Sequence, residues 1–381
     1  MRFNTRLIHE AQPPDPLTGA VNPPIYLSST FAQSAPNRHK GYVYSRSANP
    51  TRTVLENALA ALEGGARGLA FGSGLGALTT LLEHFPSGSR IVADQDLYGG
   101  TWRLFEHHRR TFGIAIDYVD ATDRDQVTRA LGRAPTALLY VESPTNPLLR
   151  LVDLRAMSRA AHAAHALLAV DNTFASPAIQ RPLELGADIV LHSTTKYLGG
   201  HSDIIGGALV IRHAELGERF AWLQNAVGAV PSPVDAFLVL RGLHTLGLRM
   251  RAHSESARAV TEVLERSRSV RTTYFPGSSR HPQRALARRQ MALPGGMVSA
   301  DLAAGGRAAR RLLARLKVFT LAESLGGVES LVDHPASMTH ASVPRRAREA
   351  HGVTDGLVRF SCGIEDPSDL ADDVRQALRG S

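Results

Sequence analysis

The sequence has few of the features that mark secreted, membrane-spanning or disulfide-stapled chains. Its 381 residues include a single cysteine, Cys362, which excludes an intrachain disulfide framework and fits a reducing compartment. The N-terminal segment lacks the uninterrupted apolar core of a signal peptide. No stretch approaches the roughly 18 apolar residues that a membrane helix requires. These absences predict a cytoplasmic protein without a membrane partner.

Recognisable metal and hydrolase motifs are also missing. The chain has 16 histidines, and His162 and His165 share a predicted helix, but no carboxylate or cysteine accompanies them at a metal-ligand spacing. Gly72-Ser73-Gly74 lacks the spacing of the G-x-S-x-G elbow of Ser/His/Asp hydrolases. We therefore expect neither a metal site nor this type of hydrolysis.

The chain has more basic than acidic residues, and the basic residues are not concentrated in one segment. The formal charge is +8, and a positive field attracts nucleic acid and other anions. The basic residues are nevertheless dispersed, without a long basic tail. We interpret Arg310-Arg311 and Arg345-Arg346-Ala-Arg348 as solvated helix faces. No nucleic-acid partner is expected.

Composition and patterning indicate an α/β protein with two domains and an arm. The chain is 43% hydrophobic and 20% charged, which is ordinary for a globular protein. Residues 1–46, rich in proline and polar residues, predict an extended N-terminal arm. Helical periodicity then alternates with short apolar runs, which predicts a mostly parallel sheet within residues 47–245 and a smaller C-terminal α+β domain within 246–381. A helix is predicted around Val234–Leu246, and strands are predicted at Arg67–Phe71, Arg90–Ala93, Ala137–Val141, Ala166–Val170, Asp188–His192, Ala208–Ile211, Met297–Leu302 and Leu357–Ser361.

A lysine follows one of these strands, where open parallel sheets bind their ligands. Lys196 stands in a turn that also contains Ser193 and Thr195. A desolvated lysine near another cation has a lowered pKa and can form a Schiff base with an aldehyde cofactor. The two hydroxyls could donate to a phosphate. The same run also fits a capped turn with a solvent-facing lysine.

Three other strand ends carry suggestive residues. Gly72-Ser-Gly74-Leu-Gly76 opens a predicted helix whose N-terminal amides suit an anion, although such turns are often purely structural. Tyr98 could stack on a planar cofactor and transfer a proton, or pack over a loop. Asp171 ends an apolar strand, where a protonated pyridine nitrogen would be a suitable cationic partner. Asp171 and Lys196 would then lie on opposite sides of one ring.

Together these runs are specific. The chain resembles the Cys/Met-metabolism family of pyridoxal-phosphate-dependent enzymes, which includes cystathionine γ-lyase, cystathionine γ-synthase, cystathionine β-lyase and methionine γ-lyase. The resemblance spans nearly the whole chain. Its landmarks are Tyr44-Ser-Arg46-Ser-Ala-Asn49-Pro-Thr51, Tyr98-Gly-Gly-Thr101, Glu142-Ser-Pro-Thr-Asn146-Pro, Val170-Asp171-Asn-Thr, Ser193-Thr-Thr195-Lys196, Glu323-Ser324-Leu-Gly-Gly and Arg359-Phe-Ser-Cys-Gly-Ile-Glu365.

The resemblance implies fold type I, the aspartate aminotransferase-like fold, with pyridoxal 5'-phosphate as cofactor. Lys196 would carry the cofactor, Asp171 would pair with its ring nitrogen, and Tyr98 would stack on the ring and assist proton transfer. Arg359 would bind the substrate carboxylate as a planar fork, and Ser324 would orient the substrate. The other cofactor contacts implied are the backbone amides of Gly74 and Leu75, the side chains of Asn146, Ser193 and Thr195, and Tyr44 and Arg46 of a neighbouring subunit.

The resemblance also implies an assembly and a reaction. The family fold is a homotetramer of two dimers with shared active sites, so the arm would lie across the partner. Lys196, once freed by the substrate amine, would remove the α proton while the ring accepts the electrons. A second proton transfer would let a γ sulfur leave. Tyr98 or protonated Lys196 would protonate that leaving group.

Three positions bear on the substrate, and they disagree. Glu323 matches an acidic residue that meets the distal amino group of cystathionine, and Gly100 stands where many methionine γ-lyases place a cysteine. Val43 stands where many cystathionine-handling members have an acidic residue, so it favours a thioether without a distal charge, such as methionine.

The functional hypothesis is a γ-lyase that converts L-cystathionine or L-methionine to 2-oxobutanoate, ammonia and a thiol. The alternative is a cystathionine γ-synthase, which joins cysteine to an O-acylhomoserine through the same chemistry. A more remote alternative is a nonenzymatic basic binding protein. The sequence does not rank β against γ elimination.

Overall fold

A computed structural model describes residues 1–341 and 345–379, and its larger sheet has seven strands. They are β1 (Arg67–Phe71), β2 (Arg90–Asp94), β3 (Ala115–Val119), β4 (Leu138–Glu142), β5 (Leu167–Asp171), β6 (Ile189–His192) and β7 (Gly207–Ile211). Their order in the sheet is β1-β7-β6-β5-β4-β2-β3. Strands β2 to β6 are mutually parallel, whereas β7 is antiparallel to both of its neighbours. The predicted mostly parallel sheet is confirmed.

Helices cover both faces of this sheet, as a parallel sheet requires. They are α2 (Pro50–Glu63), α3 (Gly74–Leu82), α4 (Gly99–Thr111), α5 (Arg124–Leu131), α6 (Leu154–Ala163), α7 (Ala214–Val227) and α8 (Pro233–His244), with a 3-10 turn at Pro182–Leu185. Successive side chains of a strand point to opposite faces. In β5, Leu168 and Val170 accordingly join one apolar core, while Ala169 joins the other.

The N-terminal segment is not extended throughout, so that expectation was wrong at its start. Helix α1 (Phe3–His9) precedes the proline-rich part and packs against α2 and α8, with Leu7 buried. Phe3 and Leu7 are four residues apart and share one helix face. The remainder, as far as residue 49, contains only isolated bridges, such as the one between Thr30 and Tyr44.

Five strands of the C-terminal part form a second, mostly antiparallel sheet. The strands are β8 (Val270–Tyr274), β9 (Met297–Leu302), β10 (Thr320–Leu321), β11 (Leu331–Asp333) and β12 (Leu357–Ser361), in the order β10-β11-β12-β9-β8. The helices of this part are α9 (Leu246–Arg266), α10 (Arg284–Gln290), α11 (Gly306–Arg315), α12 (Arg345–Ala350) and α13 (Pro367–Leu378). The exact domain boundaries, 47–245 and 246–381, stay predictions.

Two local interpretations need correction. Arg310 and Arg311 are exposed on α11, but Arg348 is 7% exposed and forms an ion pair with Asp355. The solvated-face interpretation was therefore wrong for Arg348. Of the paired histidines, His162 lies in α6, whereas His165 follows the helix with a φ of 56°.

Candidate active site

A cavity of about 330 Å³ opens at the carboxyl ends of the parallel strands. The second half of the chain closes it, because the loop after β10 and strand β12 reach over the strand ends. Residues predicted from the sequence that line the cavity are Gly74, Leu75, Tyr98, Asn146, Asp171, Ser193, Thr195, Lys196, Glu323, Ser324 and Arg359. The structure thus brings together positions that lie up to 285 residues apart in the numbering of this sequence.

Lys196 lies in the turn after β6, and its amine is held from the other half of the chain. Its Nζ donates a hydrogen bond to Ser324 Oγ at 2.8 Å. Burial lowers the pKa of Lys196 to about 8, and the positive charge of Arg359 acts in the same direction. About a tenth of the amine is therefore neutral at pH 7, and a nucleophile or base must be in this neutral form.

Ser324 supplies this contact from an unusual backbone conformation. Its φ is 116°, in the left-handed half of the Ramachandran map that favours glycine. Non-glycine residues in such regions cost on the order of 1–3 kcal/mol and persist where surrounding structure imposes them. In this conformation the Ser324 hydroxyl accepts a hydrogen bond from Lys196. The Ser324 carbonyl accepts a second hydrogen bond from Arg359 Nη2 at 3.3 Å.

Asp171 ends β5, the strand next to β6, and is 9% exposed. Its Oδ1 accepts the N–H of Thr173 at 3.0 Å, and the hydroxyl of Thr173 accepts the N–H of Ser193 at 2.9 Å. Burial raises the pKa of Asp171, while its hydrogen bonds with Thr173 lower it. A buried carboxyl group in this position suits a cationic ring nitrogen, which would stabilise its ionised form.

The part of the cavity beside the start of α3 suits a phosphate. Helix α3 begins at Gly74, so the first amides of the helix, with its positive dipole end, face this region. A side chain at Gly74 would bring a Cβ to 3.1 Å from the Cβ of Ser193, so glycine permits the close approach. The Thr195 hydroxyl is bound to Gly206, donating to its carbonyl at 3.2 Å and accepting its N–H at 3.0 Å.

Arg359 lies on β12 and is 2% exposed. It forms an ion pair with Asp333 on the neighbouring β11, and its Nη1 donates to Asn146 Oδ1 at 2.7 Å. A guanidinium has five N–H groups, so these contacts and the Ser324 carbonyl leave two N–H groups without a protein partner, one on Nη1 and one on the buried Nε. Asn146 itself also lines the cavity.

Three predicted residues do not line this cavity. Val43, Tyr44 and Arg46 lie in the N-terminal segment, where Val43 and Tyr44 are 38% and 45% exposed. The guanidinium of Arg46 lies 5.7 Å from the centre of the Tyr44 ring, and its Nη1 donates to the Asn225 carbonyl at 2.6 Å. Their contribution to a neighbouring subunit stays a prediction.

The sequence interpretation assigned no role to several residues now found at the site. Asp333 orders Arg359, Thr173 connects Asp171 to the backbone of Ser193, and Thr339 lines the cavity. Glu142 also lines it and accepts the N–H of Tyr98 on Oε2 at 3.0 Å. Glu142 and Thr173 stand within the recognised motifs, which was the available signal. Asp333 and Thr339 follow β10 in stretches without a diagnostic motif.

The described part of the chain contains neither a metal-binding cluster nor a membrane-spanning helix. Within residues 1–341 and 345–379, no group of three His, Cys, Asp or Glu side chains is placed to hold a metal ion. In the same ranges no helix is long and apolar enough to cross a membrane. His162, considered above as a ligand, instead pairs through Nε2 with Asp188 Oδ2 at 2.9 Å.

The cavity has a chemical partner for each part of a cofactor with an aldehyde, a basic ring nitrogen and a phosphate, namely Lys196, Asp171 and the start of α3. This match, on a mostly parallel sheet, defines the class of pyridoxal-phosphate-dependent enzymes of fold type I. A family model described as Cys/Met metabolism PLP-dependent enzyme matches residues 4–379, and the chain belongs to that family.

Relatives within the family carry different reaction names. A cystathionine beta-lyase of Coxiella burnetii is 50% identical over 378 residues, which cover 99% of this chain and 97% of the relative. A cystathionine gamma-lyase of Bacillus subtilis is also 50% identical over 378 residues, with 99% of both chains covered. A crystal structure of cystathionine gamma synthase from Xanthomonas oryzae pv. oryzae in complex with cystathionine superposes with a TM-score of 0.97 at 48% identity, covering 99% of this chain and 98% of that one. The family is therefore established, while the individual reaction is a matter for proposal.

Proposed function

We propose that the protein is a carbon–sulfur γ-lyase that converts L-cystathionine or L-methionine to 2-oxobutanoate, ammonia and a thiol. The observation that carries cystathionine as a ligand of this site is Glu323, an exposed carboxylate on the wall of the cavity that contains Lys196. It offers a partner to the distal ammonium of cystathionine. Bound pyridoxal phosphate would act as the electron sink for the carbanion that follows loss of the α proton.

Arg359 and Lys196 would handle the reacting end of the substrate. Arg359, ordered by Asp333 and Asn146, binds the α-carboxylate through its remaining N–H groups. The Lys196 amine, with its lowered pKa, removes the α proton at Nζ, and Ser324 Oγ fixes that nitrogen at 2.8 Å. Once protonated, the same nitrogen can return a proton.

Tyr98 is the proposed second proton-transfer group. It lies at the start of α4, and Glu142 holds its main-chain N–H from β4. Its side chain is 39% exposed and lines the cavity, where the phenol can reach a departing sulfur. We assign it, with Lys196, to protonation of the thiolate leaving group.

Substrate choice depends on both ends of the shared site. Glu323 comes from this chain, whereas Val43, Tyr44 and Arg46 would come from a neighbouring subunit of a homotetramer. Glu323 favours cystathionine, and the apolar Val43 favours a thioether without a distal charge. We therefore propose activity on both substrates.

The alternative is a cystathionine γ-synthase, which the similarity to the Xanthomonas oryzae enzyme supports. Glu323 fits either reaction, because cystathionine is the product of the synthase and a substrate of the lyase. The two proposals differ in whether water or cysteine completes the reaction.

Product analysis with three substrate sets separates these reactions. Purified holoenzyme is incubated with cystathionine, with methionine, and with an O-acylhomoserine plus cysteine, and oxo acids, thiols and cystathionine are quantified. The lyase proposal expects 2-oxobutanoate from the first two. Rapid cystathionine formation with negligible elimination would contradict it, and pyruvate with homocysteine would identify β elimination instead.

A substitution at Glu323 tests the specificity argument directly. Glu323→Gln should lower kcat/KM for cystathionine by about 5- to 100-fold, since an ammonium loses its charged partner. Methionine is the matched control, because it has no distal charge and its kcat/KM should change little. An equal loss for both substrates would show that Glu323 does not contact the distal group.

A further inference from the structure

Glu142 is a buried carboxyl group in the cofactor cavity without an assigned role. It is the last residue of β4 and is 4% exposed. Its Oε2 accepts the main-chain N–H of Tyr98 at 3.0 Å. Tyr98 immediately precedes α4, and its own side chain forms no capping hydrogen bond there. Glu142 therefore fixes the backbone that presents the Tyr98 ring to the cavity.

The sheet register places Glu142 beside a second carboxyl group. Glu142 is the register partner of Asp171 across the parallel pair of β4 and β5. Register partners in neighbouring strands point to the same face of the sheet. Both residues line the cavity, so two carboxyl groups stand side by side where one ring nitrogen is to be bound.

The surroundings of Glu142 are acidic. Asp171 faces it from β5, and Asp94 and Asp96 face it from the end of β2 and the following loop. Burial and the charge of Asp171 both raise the pKa of Glu142 well above its usual range. Burial also raises the pKa of Asp94 to about 8 and that of Asp96 to about 6. Neighbouring carboxylates in a buried site cannot all ionise.

We propose that Glu142 is a positioning residue that stays a neutral carboxylic acid, anchoring Tyr98 through one oxygen and leaving Asp171 as the single ionised partner of the cofactor ring. A neutral carboxyl group has one oxygen that accepts only and one O–H that donates. Because Oε2 accepts the Tyr98 N–H, the proton of the neutral acid would lie on the other oxygen, Oε1. Asp171 then carries the negative charge that pairs with the positive charge of the ring nitrogen.

The inference rests on cofactor binding by the family and not on the choice between lyase and synthase. The test of this role needs no sulfur amino acid. The proposed role of Glu142 can therefore be wrong while the proposed reaction is correct, and the proposed reaction can be wrong while the role of Glu142 is correct. Two variants separate the two parts of the role. Glu142→Gln keeps an acceptor for Tyr98 and a donor for its neighbours but can never be charged, whereas Glu142→Leu keeps only the bulk.

The experiment titrates each full-length apoprotein with pyridoxal phosphate. Glu142→Leu should bind the cofactor about 2- to 10-fold more weakly than the parent chain, the range for one lost hydrogen bond. Glu142→Gln should rescue that loss. The number of protons exchanged on binding, from calorimetry in buffers of different ionisation enthalpy, and the pH midpoint of the visible cofactor band should be the same in Glu142→Gln as in the parent.

Either of two results would overturn the proposal. If Glu142→Gln binds the cofactor as weakly as Glu142→Leu, a charge is needed at this position. If Glu142→Gln changes the proton count or moves the pH midpoint, Glu142 ionises during binding. If Glu142→Leu does not fold, the proton count and the pH midpoint of Glu142→Gln still decide the question.

Discussion

At the scale of single residues, the amine of Lys196 has the most directly measurable property. Because its pKa is lowered to about 8, the neutral fraction increases with pH and approaches its limit above that value. About a tenth is neutral at pH 7, far more than for a lysine with the usual pKa near 10.4. The rate at which apoprotein recaptures pyridoxal phosphate should therefore increase with pH and level off above about 8. Stopped-flow absorbance measures it.

Two comparisons make this pH profile specific to Lys196. Lys196→Ala should not develop the visible band that the cofactor acquires when it reacts with a lysine, at any pH, because the other lysines, Lys40 and Lys317, are both exposed and lie outside the cavity. A rate that continues to increase up to about pH 10 would contradict the lowered pKa.

Ser324 makes a second residue-scale prediction, because its hydrogen bond and its backbone strain can be separated. Both Ser324→Ala and Ser324→Gly remove the hydroxyl that accepts from Lys196. Only glycine relieves the strain at a φ of 116°. Ser324→Gly should therefore exceed Ser324→Ala in free energy of unfolding by about 1 kcal/mol, measured by urea denaturation of the apoprotein.

Ser368 is the matched control for this pair. It is exposed in the first turn of α13, where alanine favours the helix more than glycine does. The same two substitutions should therefore rank in the opposite order at Ser368. If the glycine and alanine variants had the same order of unfolding free energy at both positions, strain at Ser324 would be contradicted.

At the scale of elements, the start of α2 connects the N-terminal segment to the large sheet. The side-chain oxygen of Asn49 accepts the N–H groups of Thr51 and Arg52 at 3.0 and 3.3 Å, and its amide donates to the Tyr26 carbonyl at 2.8 Å. Asn49→Ala should lower the free energy of unfolding by roughly 1–2 kcal/mol, since it loses the cap and the tie to the segment. Urea unfolding measures the change.

Asn57 provides the control within the same helix. It is exposed in the interior of α2, where alanine has the higher helix propensity, so Asn57→Ala should stabilise slightly. If Asn49→Ala behaved like Asn57→Ala, the cap would contribute nothing.

The elements predicted correctly are those whose signal is local. Strands β1, β9 and β12 have the predicted bounds, because they are short apolar runs with clear turns on either side. Strand β3 was missed, because it lies at the sheet edge, Asp117 interrupts its apolar pattern, and its burial is only partial. Helix α1 was hidden by the prolines that follow it.

Part of the site could be predicted because some of its residues have a local signal in the sequence. Lys196 and Asp171 stand at strand ends, where the alternation of elements fixes their position. The contact between Arg359 and Asp333 could not be inferred, because it depends on the pairing of β11 with β12, and β11 has only three residues. No local sequence pattern predicts the hydrogen bond between Ser324 and Lys196 either.

At the scale of the whole molecule, the proposal that two subunits share each site makes a prediction that needs two chains. If Arg46 serves the neighbouring subunit, a dimer of one Lys196→Ala chain and one Arg46→Ala chain contains one intact site and one doubly damaged site. Random mixing of the two inactive proteins after reversible dissociation should then restore about a quarter of the parent activity.

Asp171→Asn replaces Arg46→Ala in the control mixture. Lys196 and Asp171 line the same cavity of one chain, so mixing their variants leaves every site damaged and should restore nothing. Failure of the Lys196→Ala and Arg46→Ala pair to recover activity, with mixed dimers verified by mass, would place Arg46 in its own chain's site.

The hydrogen bond from Lys196 to Ser324 also joins the two halves of the molecule. The amine belongs to the turn after β6, and its acceptor belongs to the loop that follows β10. A shift of the smaller sheet relative to the larger one would stretch this bond and alter the proton affinity of the amine. The pKa of the Lys196 amine thus depends on how closely the two sheets are packed. Substitutions between the sheets, far from the cavity, can therefore change this pKa while every residue that lines the cavity is kept.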